Sequence, residues 1–179
     1  MIKKIFIGLG AIILILVGLF IYGIMFPTSP EDSASISHNG IEASVNYSRP
    51  FKKGRILFGG EESLQPYGQY WRLGANAATE LTVNQDFNFA GQTVPAGTYR
   101  MYAVPGPDNF EISLNSELGV FFAYEEPNYD LDVVKVKIPV QIQTPEIEQL
   151  TIDFAGDSLG VNMNVKWGDL FLSVPVSTI

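Results

Sequence analysis

One stretch of the chain combines cationic, aromatic, amide and small side chains in a pattern that no regular helix or strand requires. It runs from Arg49 to Glu80 (RPFKKGRILFGGEESLQPYGQYWRLGANAATE) and holds four of the eleven Lys and Arg residues within its first seven positions. Guanidinium groups bind carboxylates and phosphates, and aromatic rings offer flat apolar contact surfaces. Small residues between them let a ligand approach the backbone closely. We therefore expect a polar, aromatic binding cleft here.

The candidate ligand-binding residues all belong to this stretch. If residues 69–73 form a strand, Tyr70 and Arg72 share one of its faces and Trp71 lies on the other. Alternatively, Trp71 is a core aromatic and Arg72 stacks on a neighbour or pairs with a carboxylate. A purely structural role, as a folded loop that closes one end of the domain, also stays open. The candidate set is Arg55, Tyr67, Tyr70, Trp71, Arg72, Asn76, Thr79 and Glu80.

Two classes of ligand fit these side chains. A glycan would stack on Tyr67 and Tyr70, and an anionic envelope group would be held by Arg55 and Arg72. The alternative is an enzyme, a hydrolase or lyase that acts on an envelope polymer through Glu80 with a Tyr or Lys partner. That role would require burial to raise the pKa of the Glu80 carboxyl. We favour a binding module because the usual catalytic groups are missing.

The missing groups are those that depend on cysteine or histidine. The chain has no cysteine, and its single histidine, His38, lies outside the candidate cleft. Thiolate and Ser-His nucleophiles are therefore excluded, and zinc and iron lack their usual ligands. Asn128, Asp130 and Asp132 are spaced like the start of a calcium loop, but Val133 stands where the supporting Gly belongs. We predict no metal site, no cofactor and no catalytic residue.

The N-terminus has the features of a membrane anchor. Residues Ile5 to Phe26 carry no charge and follow Lys3 and Lys4. At 1.5 Å per residue this segment would span roughly 33 Å, close to the hydrocarbon thickness of a bilayer. No small-residue cleavage site follows, so we predict an uncleaved, single-pass signal anchor over residues 1–26, with cleavage as the alternative. The lysines place the N-terminus in the cytoplasm and the domain on the extracytoplasmic side, periplasmic or cell-surface.

The remainder predicts a linker and one all-β domain. Residues 27–40 are rich in Pro, Ser, Asp and Asn, which indicates a flexible linker in which His38 is solvated. From residue 41 to residue 179, apolar and polar residues alternate in short runs, which is typical of antiparallel strands with one buried face. We expect a β-sandwich, with a barrel as the alternative. Turns are predicted at Val94–Gly97 and Gly156–Ser158, and a two-residue hairpin is predicted at Gly168-Asp169.

The charge balance restricts the partners. After Pro27 there are nine Lys and Arg residues against nineteen Asp and Glu residues, a formal charge of about −10. A nucleic-acid binder would carry the opposite sign, so no nucleic-acid partner is expected. The membrane is a partner through the N-terminal helix. A third hypothesis is that Arg49, Lys52, Lys53 and Arg55 contact phosphates of the membrane surface.

Three runs carry a family resemblance. RPFKKGRILFGG, LQPYGQYWRLGANAATELTV and VPAGTYRMYAVPG resemble the domain of unknown function 2911 family, whose members typically read K-G-R-x-I-F-G, V-P-Y-G-x-x-W-R-x-G-A-N-x-A-T and P-A-G-T-Y-x-L. The resemblance covers most of residues 41–176. It implies a secreted or membrane-attached β-sandwich and brings no established activity. Ala77 stands where many members carry an acidic residue, and Gln69 stands where Lys is frequent, so a function that needs either group would be altered here.

Overall fold

The computed structural model describes residues 2–25, 28–120, 123–158 and 160–179. A single helix, α1 (Ile2–Met25), precedes the strands. The last residue of the predicted anchor, Phe26, lies outside the described residues. In the described part of the chain, no helix is both long enough and apolar enough to cross a membrane.

The strands form two large antiparallel sheets and one short parallel pair. The strands are β1 (Glu31–His38), β2 (Ile41–Ser48), β3 (Phe58–Gly59), β4 (Gln65–Pro66), β5 (Thr79–Val83), β6 (Phe87–Phe89), β7 (Gln92–Val94), β8 (Gly97–Val104), β9 (Asn109–Asn115), β10 (Asp132–Pro139), β11 (Gln141–Gly156) and β12 (Val161–Thr178). One sheet has the order β1-β2-β5-β8-β9-β10 and the other has the order β11-β12-β6-β7, while β3 pairs with β4. The predicted all-β, antiparallel architecture is confirmed, and neither large sheet closes on itself within the described residues.

The inner faces of the two large sheets share one apolar core. Ile41 and Val45 of β2 and Leu81 of β5 are fully buried, and so are Val165 and Leu172 on β12 of the other sheet. These are the apolar positions of the alternating runs, so the period of two decides which side chains face inward. Full burial of one such side chain contributes about 1.5–3 kcal/mol to folding.

The predicted linker is wrong for most of its length, because Glu31–His38 forms strand β1 along the edge of the six-stranded sheet. Asn39 and Gly40 have φ values of 49° and 84° and make the tight turn into β2. An Asn-Gly pair favours such a hairpin because both residues tolerate positive φ. His38 is not solvated in a linker, because its Nε2–H donates to the carbonyl oxygen of Asp157 (2.7 Å).

The hairpin predicted at Gly168-Asp169 is also wrong, since β12 continues without a break from Val161 to Thr178. Gly168 has a φ of +60°, and the register between β11 and β12 shifts on both sides of its partner Ile147. These features define a β-bulge, in which a residue with positive φ bends a strand without ending it. The turns predicted at Val94–Gly97 and Gly156–Ser158 lie, as expected, at the junctions of β7 with β8 and of β11 with β12.

Replacing Gly168 with Ala is expected to lower the free energy of unfolding by about 1–2 kcal/mol, the cost of a left-handed conformation for a residue with a Cβ. The added Cβ would also lie 2.8 Å from Cδ1 of Leu57, so the core has to shift. Urea unfolding of the full chain measures the change. Gly60→Ala is the control, since its Cβ would meet nothing within 4 Å. Equal losses in the two variants would contradict the bulge assignment.

Candidate functional site: a basic cavity on the tryptophan pair

Trp71 anchors the candidate segment in the core. Its N–H donates to the carbonyl oxygen of Ala103, and the N–H of Ala103 donates back (both 2.8 Å). Residues 69–73 do not form the predicted strand, and Trp71 makes an isolated β-bridge to Ala103 instead. The Trp71 ring is 4% exposed and stacks on Trp167, with centroids 6.0 Å apart and planes 15° apart. The interpretation of Trp71 as a core aromatic is therefore correct, and Arg72 is placed beside this pair.

A cavity of about 420 Å³ lies against the tryptophan pair. We call it the basic cavity, because Lys53, Arg55 and Arg72 line it and no Asp or Glu does. Its lining also includes Thr28, Ser29, Leu64, Trp71, Asn76 and Trp167. The structure thus brings four of the eight candidate residues together, namely Arg55, Trp71, Arg72 and Asn76.

The three cations of the basic cavity differ from most others in having no acidic partner. Of the nine Lys and Arg residues after Pro27, five form an ion pair within the described residues. Those five are Arg49, Lys52, Arg100, Lys135 and Lys166. Of the four cations left, only Lys137 lies outside the lining of the basic cavity. The cavity therefore collects positive charge that the described part of the protein does not neutralise.

Hydrogen bonds to backbone carbonyls and to Glu148 hold the turn that carries Arg55 and Lys53. Arg55 donates from Nε to the carbonyl oxygen of Lys52 (2.9 Å) and from Nη2 to that of Phe51. Lys53 has a φ of +51°, and its N–H donates to Oε1 of Glu148 (2.8 Å). These hydrogen bonds fix the turn from which both side chains reach the basic cavity.

The floor of the basic cavity contains an unused hydrogen-bond donor. Trp167 is 1% exposed, and its Nε1–H has no acceptor within the described residues. That nitrogen is buried from solvent, and a buried donor without a partner costs about 1–3 kcal/mol. Asn76, at the rim, is held by its side-chain amide, which donates to the carbonyl oxygen of Ser29 (3.1 Å).

The remaining candidates lie elsewhere. Tyr67 is 43% exposed and lines a separate cavity of about 430 Å³, which it shares with Arg55. Thr79 is fully buried and donates to the carbonyl oxygen of Leu73 (2.9 Å), so its role is structural. The candidate residues therefore do not line one cleft, as the sequence predicted, but are distributed over separate places in the fold.

Glu80 belongs to a different feature, a polar row on the outer face of the six-stranded sheet, and Tyr70 contacts the same row through Arg100. The row follows the pairing register from strand to strand and consists of Ser33, Asn46, Glu80, Arg100, Asn115 and Asp132. Glu80 accepts a hydrogen bond from the N–H of Gly119 (3.2 Å) and lines an open groove of about 620 Å³. Glu31 and Asp32 also line that groove, so its character is acidic.

Arg100 is the main residue that the sequence did not reveal. It is 1% exposed, and its Nη1 forms an ion pair with Glu117 (2.5 Å). Its Nη2 donates to the hydroxyl of Tyr70 (2.8 Å) and to the carbonyl oxygen of Glu125 (2.9 Å). The Tyr70 hydroxyl in turn donates to the carbonyl oxygen of Ala123 (3.0 Å). Tyr70 is thus occupied in holding the segment after β9 onto the sheet and does not face the basic cavity.

The acidic run considered for calcium caps a single helical turn. Asn128 accepts at Oδ1 from the N–H of Asp130 (3.1 Å) at the start of the 3-10 turn Tyr129–Leu131. Asp132 pairs with Lys135 (2.9 Å). Among the described residues, no group of three or more His, Cys, Asp or Glu side chains is placed to hold a metal ion.

Ionisation of the two tyrosines beside this run is expected to destabilise the protein at alkaline pH. Burial raises the pKa of Tyr102, whose hydroxyl donates to Oδ2 of Asp132 (2.7 Å), and burial together with Glu126 raises the pKa of Tyr129 to about 12. The folded state keeps these protons when the unfolded state loses them, so their stabilisation is complete below pH about 10 and is lost above it. We expect Tyr102→Phe to flatten this alkaline loss, measured by urea unfolding at pH values on both sides of 10. An unchanged pH profile would contradict the assignment.

Fold and site together define an all-β domain of two antiparallel sheets with an unneutralised basic cavity at one end of its core. The chain belongs to the family described as protein of unknown function (DUF2911), whose model matches residues 29–176. The resemblance seen in the sequence is thereby confirmed, and the match includes β1, which the sequence had assigned to the linker. No curated protein and no solved structure matches the chain.

Proposed function

We propose that this protein is a membrane-anchored, extracytoplasmic β-sandwich that binds an anionic envelope ligand in the basic cavity. One observation carries the proposal: Lys53, Arg55 and Arg72 line a single cavity with no acidic residue in its lining and no ion pair of their own in the described residues. Cations left unpaired in a concave site attract a ligand of opposite charge, and guanidinium groups bind carboxylates and phosphates in two-pronged geometry.

An anion is better supported than a neutral glycan. The glycan hypothesis needs Tyr67 and Tyr70 on one surface, but Tyr70 is tilted against Tyr102 and bonded to Arg100. In the basic cavity, the aromatic lining consists of the nearly buried tryptophan pair and the half-buried Phe51, and neither Tyr67 nor Tyr70 is part of it.

The enzymatic alternative lacks its partner groups. Glu80 lines the acidic groove, where no Lys is present, and the tyrosine that lines the same groove is Tyr47. The hydroxyl of Tyr47 donates to the carbonyl oxygen of Ile152 (3.3 Å) and accepts from the N–H of the same residue (2.9 Å). Since that hydroxyl is committed to the backbone, no specific contact favours hydrolase or lyase chemistry at Glu80.

The membrane location is supported by the sequence of the N-terminal segment. Its uncharged residues follow Lys3 and Lys4, which favours a cytoplasmic N-terminus. Since the chain has no cysteine, Glu61→Cys and Ile2→Cys each provide a single thiol. In right-side-out vesicles, a membrane-impermeant maleimide is expected to label Glu61→Cys directly and Ile2→Cys only after detergent. The reverse pattern would exclude the proposed topology.

The binding proposal is tested with the full chain in zwitterionic detergent micelles at low ionic strength. Both tryptophans of the protein line the basic cavity, so their fluorescence reports on its occupancy. Titration with inorganic phosphate or citrate is expected to give a saturable change. Arg72→Gln is expected to weaken the apparent affinity by about tenfold or more, the value of a hydrogen bond to a charged group.

Lys137→Gln is the matched control, because Lys137 is the fourth cation after Pro27 that forms no ion pair within the described residues, and it lies outside the cavity lining. It is expected to bind like the wild type. Equal affinities of the wild type and Arg72→Gln, or no fluorescence response to either anion, would overturn the proposal.

A further inference from the structure

The residues that follow α1 connect the helix closely to the basic cavity. Thr28 and Ser29 line the basic cavity, and the carbonyl oxygen of Ser29 accepts a hydrogen bond from the Asn76 amide (3.1 Å). The helix ends at Met25. Three residues span at most about 11 Å in any conformation, so the edge of the cavity at Thr28 is held within that distance of the end of α1.

Given the proposed anchor, this short connection keeps the basic cavity at the depth of the lipid headgroups. We infer that the anionic ligand is the headgroup phosphate of an anionic phospholipid in the extracytoplasmic leaflet, on the side of the membrane where α1 ends. The inference rests on the proposed function, in that it assumes an anion-binding cavity and names the class of its ligand. The inference goes beyond the proposed function because it names the membrane surface itself as the binding partner.

The local charge supports this assignment despite the acidic domain. Asp32 and Glu146 are paired with Arg49 (3.0 Å) and with Lys52, and the Glu148 carboxylate accepts a hydrogen bond from the backbone N–H of Lys53 (2.8 Å). Arg49 and Lys52, which the sequence suggested as lipid contacts, are therefore neutralised. The cations that act on phosphates are Lys53, Arg55 and Arg72, and each cation near a membrane surface contributes about a fivefold gain in affinity for anionic lipid.

Exposed aliphatic side chains lie beside these cations. Leu64 is 41% exposed and lines the basic cavity, and its N–H donates to the carbonyl oxygen of Ile56 (2.8 Å), which is 63% exposed. Ile142, which lines the neighbouring cavity with Ile56, is 71% exposed. A surface that carries both cationic and apolar side chains binds at the headgroup boundary of a bilayer. The apolar side chains enter the acyl layer, and the cations contact the headgroups.

The test uses the full chain in nanodiscs of phosphatidylcholine that contain increasing fractions of phosphatidylglycerol, with tryptophan fluorescence as the readout. The wild type is expected to respond saturably to phosphatidylglycerol. Arg72→Gln is expected to need an about fivefold higher fraction for half of the response, and Arg72→Lys to recover part of it. Lys137→Gln is expected to match the wild type. Unchanged thermal unfolding of Arg72→Gln confirms that the variant is folded.

A second arm separates the lipid from a free anion. Inorganic phosphate is added to discs of phosphatidylcholine alone. A response to phosphate without a response to phosphatidylglycerol overturns the lipid assignment and leaves the proposed anion cavity standing. Silence in both arms overturns both. A phosphatidylglycerol response that Arg72→Gln and Lys137→Gln weaken equally also overturns the assignment, because it would report general surface charge.

Discussion

Glu117→Gln is expected to lower the free energy of unfolding by about 3 kcal/mol, which is the scale for removing one partner of a buried ion pair. Arg100 is 1% exposed, and Glu117 is the acid paired with it in the described residues. Its other acceptors, the hydroxyl of Tyr70 and the carbonyl oxygen of Glu125, are neutral. The variant therefore leaves a buried guanidinium without its ion-pair partner. We place the effect at the low end of the known range because the Glu117 side chain is 35% exposed.

Asp153→Asn is the matched control for this prediction. It removes the acid from an ion pair with Lys166, in which the two side chains are 39% and 26% exposed. Pairs of this kind contribute at most about 1 kcal/mol because water and salt screen them. Chemical unfolding of the full chain measures both variants. If Glu117→Gln costs no more than Asp153→Asn, the outer-face network does not hold the segment after β9.

Trp71→Ala is expected to cost about 3–5 kcal/mol, the range for truncating a large buried aromatic. The Trp71 ring is packed edge-on against Phe58 (5.0 Å) as well as stacked on Trp167 (6.0 Å), so no neighbour can close the gap by a small shift. The same substitution removes part of the floor of the basic cavity. Anion binding is therefore expected to be lost together with stability.

Tyr124→Ala is the control for this truncation, because the Tyr124 side chain is 63% exposed. Its free energy of unfolding is expected to change by no more than about 0.5 kcal/mol. A loss below about 1.5 kcal/mol for Trp71→Ala would show that the tryptophan pair is not the core element described here, since that value is the least that full burial contributes.

The long strands were predictable because one local rule decides them. Alternation of apolar and polar residues marks the inward face of a strand whatever its partner, so Ile41, Leu81 and Val165 were correctly expected to face the core. The rule fails where a strand has little apolar content. Strand β1 carries mainly Ser, Asp and Glu, and only its pairing with β2 reveals it, although Asn39-Gly40 is a hairpin signal that the sequence did contain.

The candidate site was predictable only in part, for a reason visible at Leu73. Its φ is +56°, so the strand-like alternation of the preceding residues stops there, and Thr79 and Glu80 do not line the cavity that Arg72 lines. Arg100 was missed because an outward position on β8 predicts exposure. The segment that buries Arg100 follows β9 in the chain. No pattern in the sequence around Arg100 indicates that this segment covers it.

The most direct test of the account is an anomalous-difference map from crystals of the full chain soaked in selenate, a tetrahedral anion with a distinct scattering edge. A peak is expected in the basic cavity, between the side chains of Lys53, Arg55 and Arg72. The peak is expected to disappear in Arg72→Gln crystals treated in the same way. Peaks confined to other cations such as Lys137, with none in the basic cavity, would contradict the central claim that this cavity is an anion site.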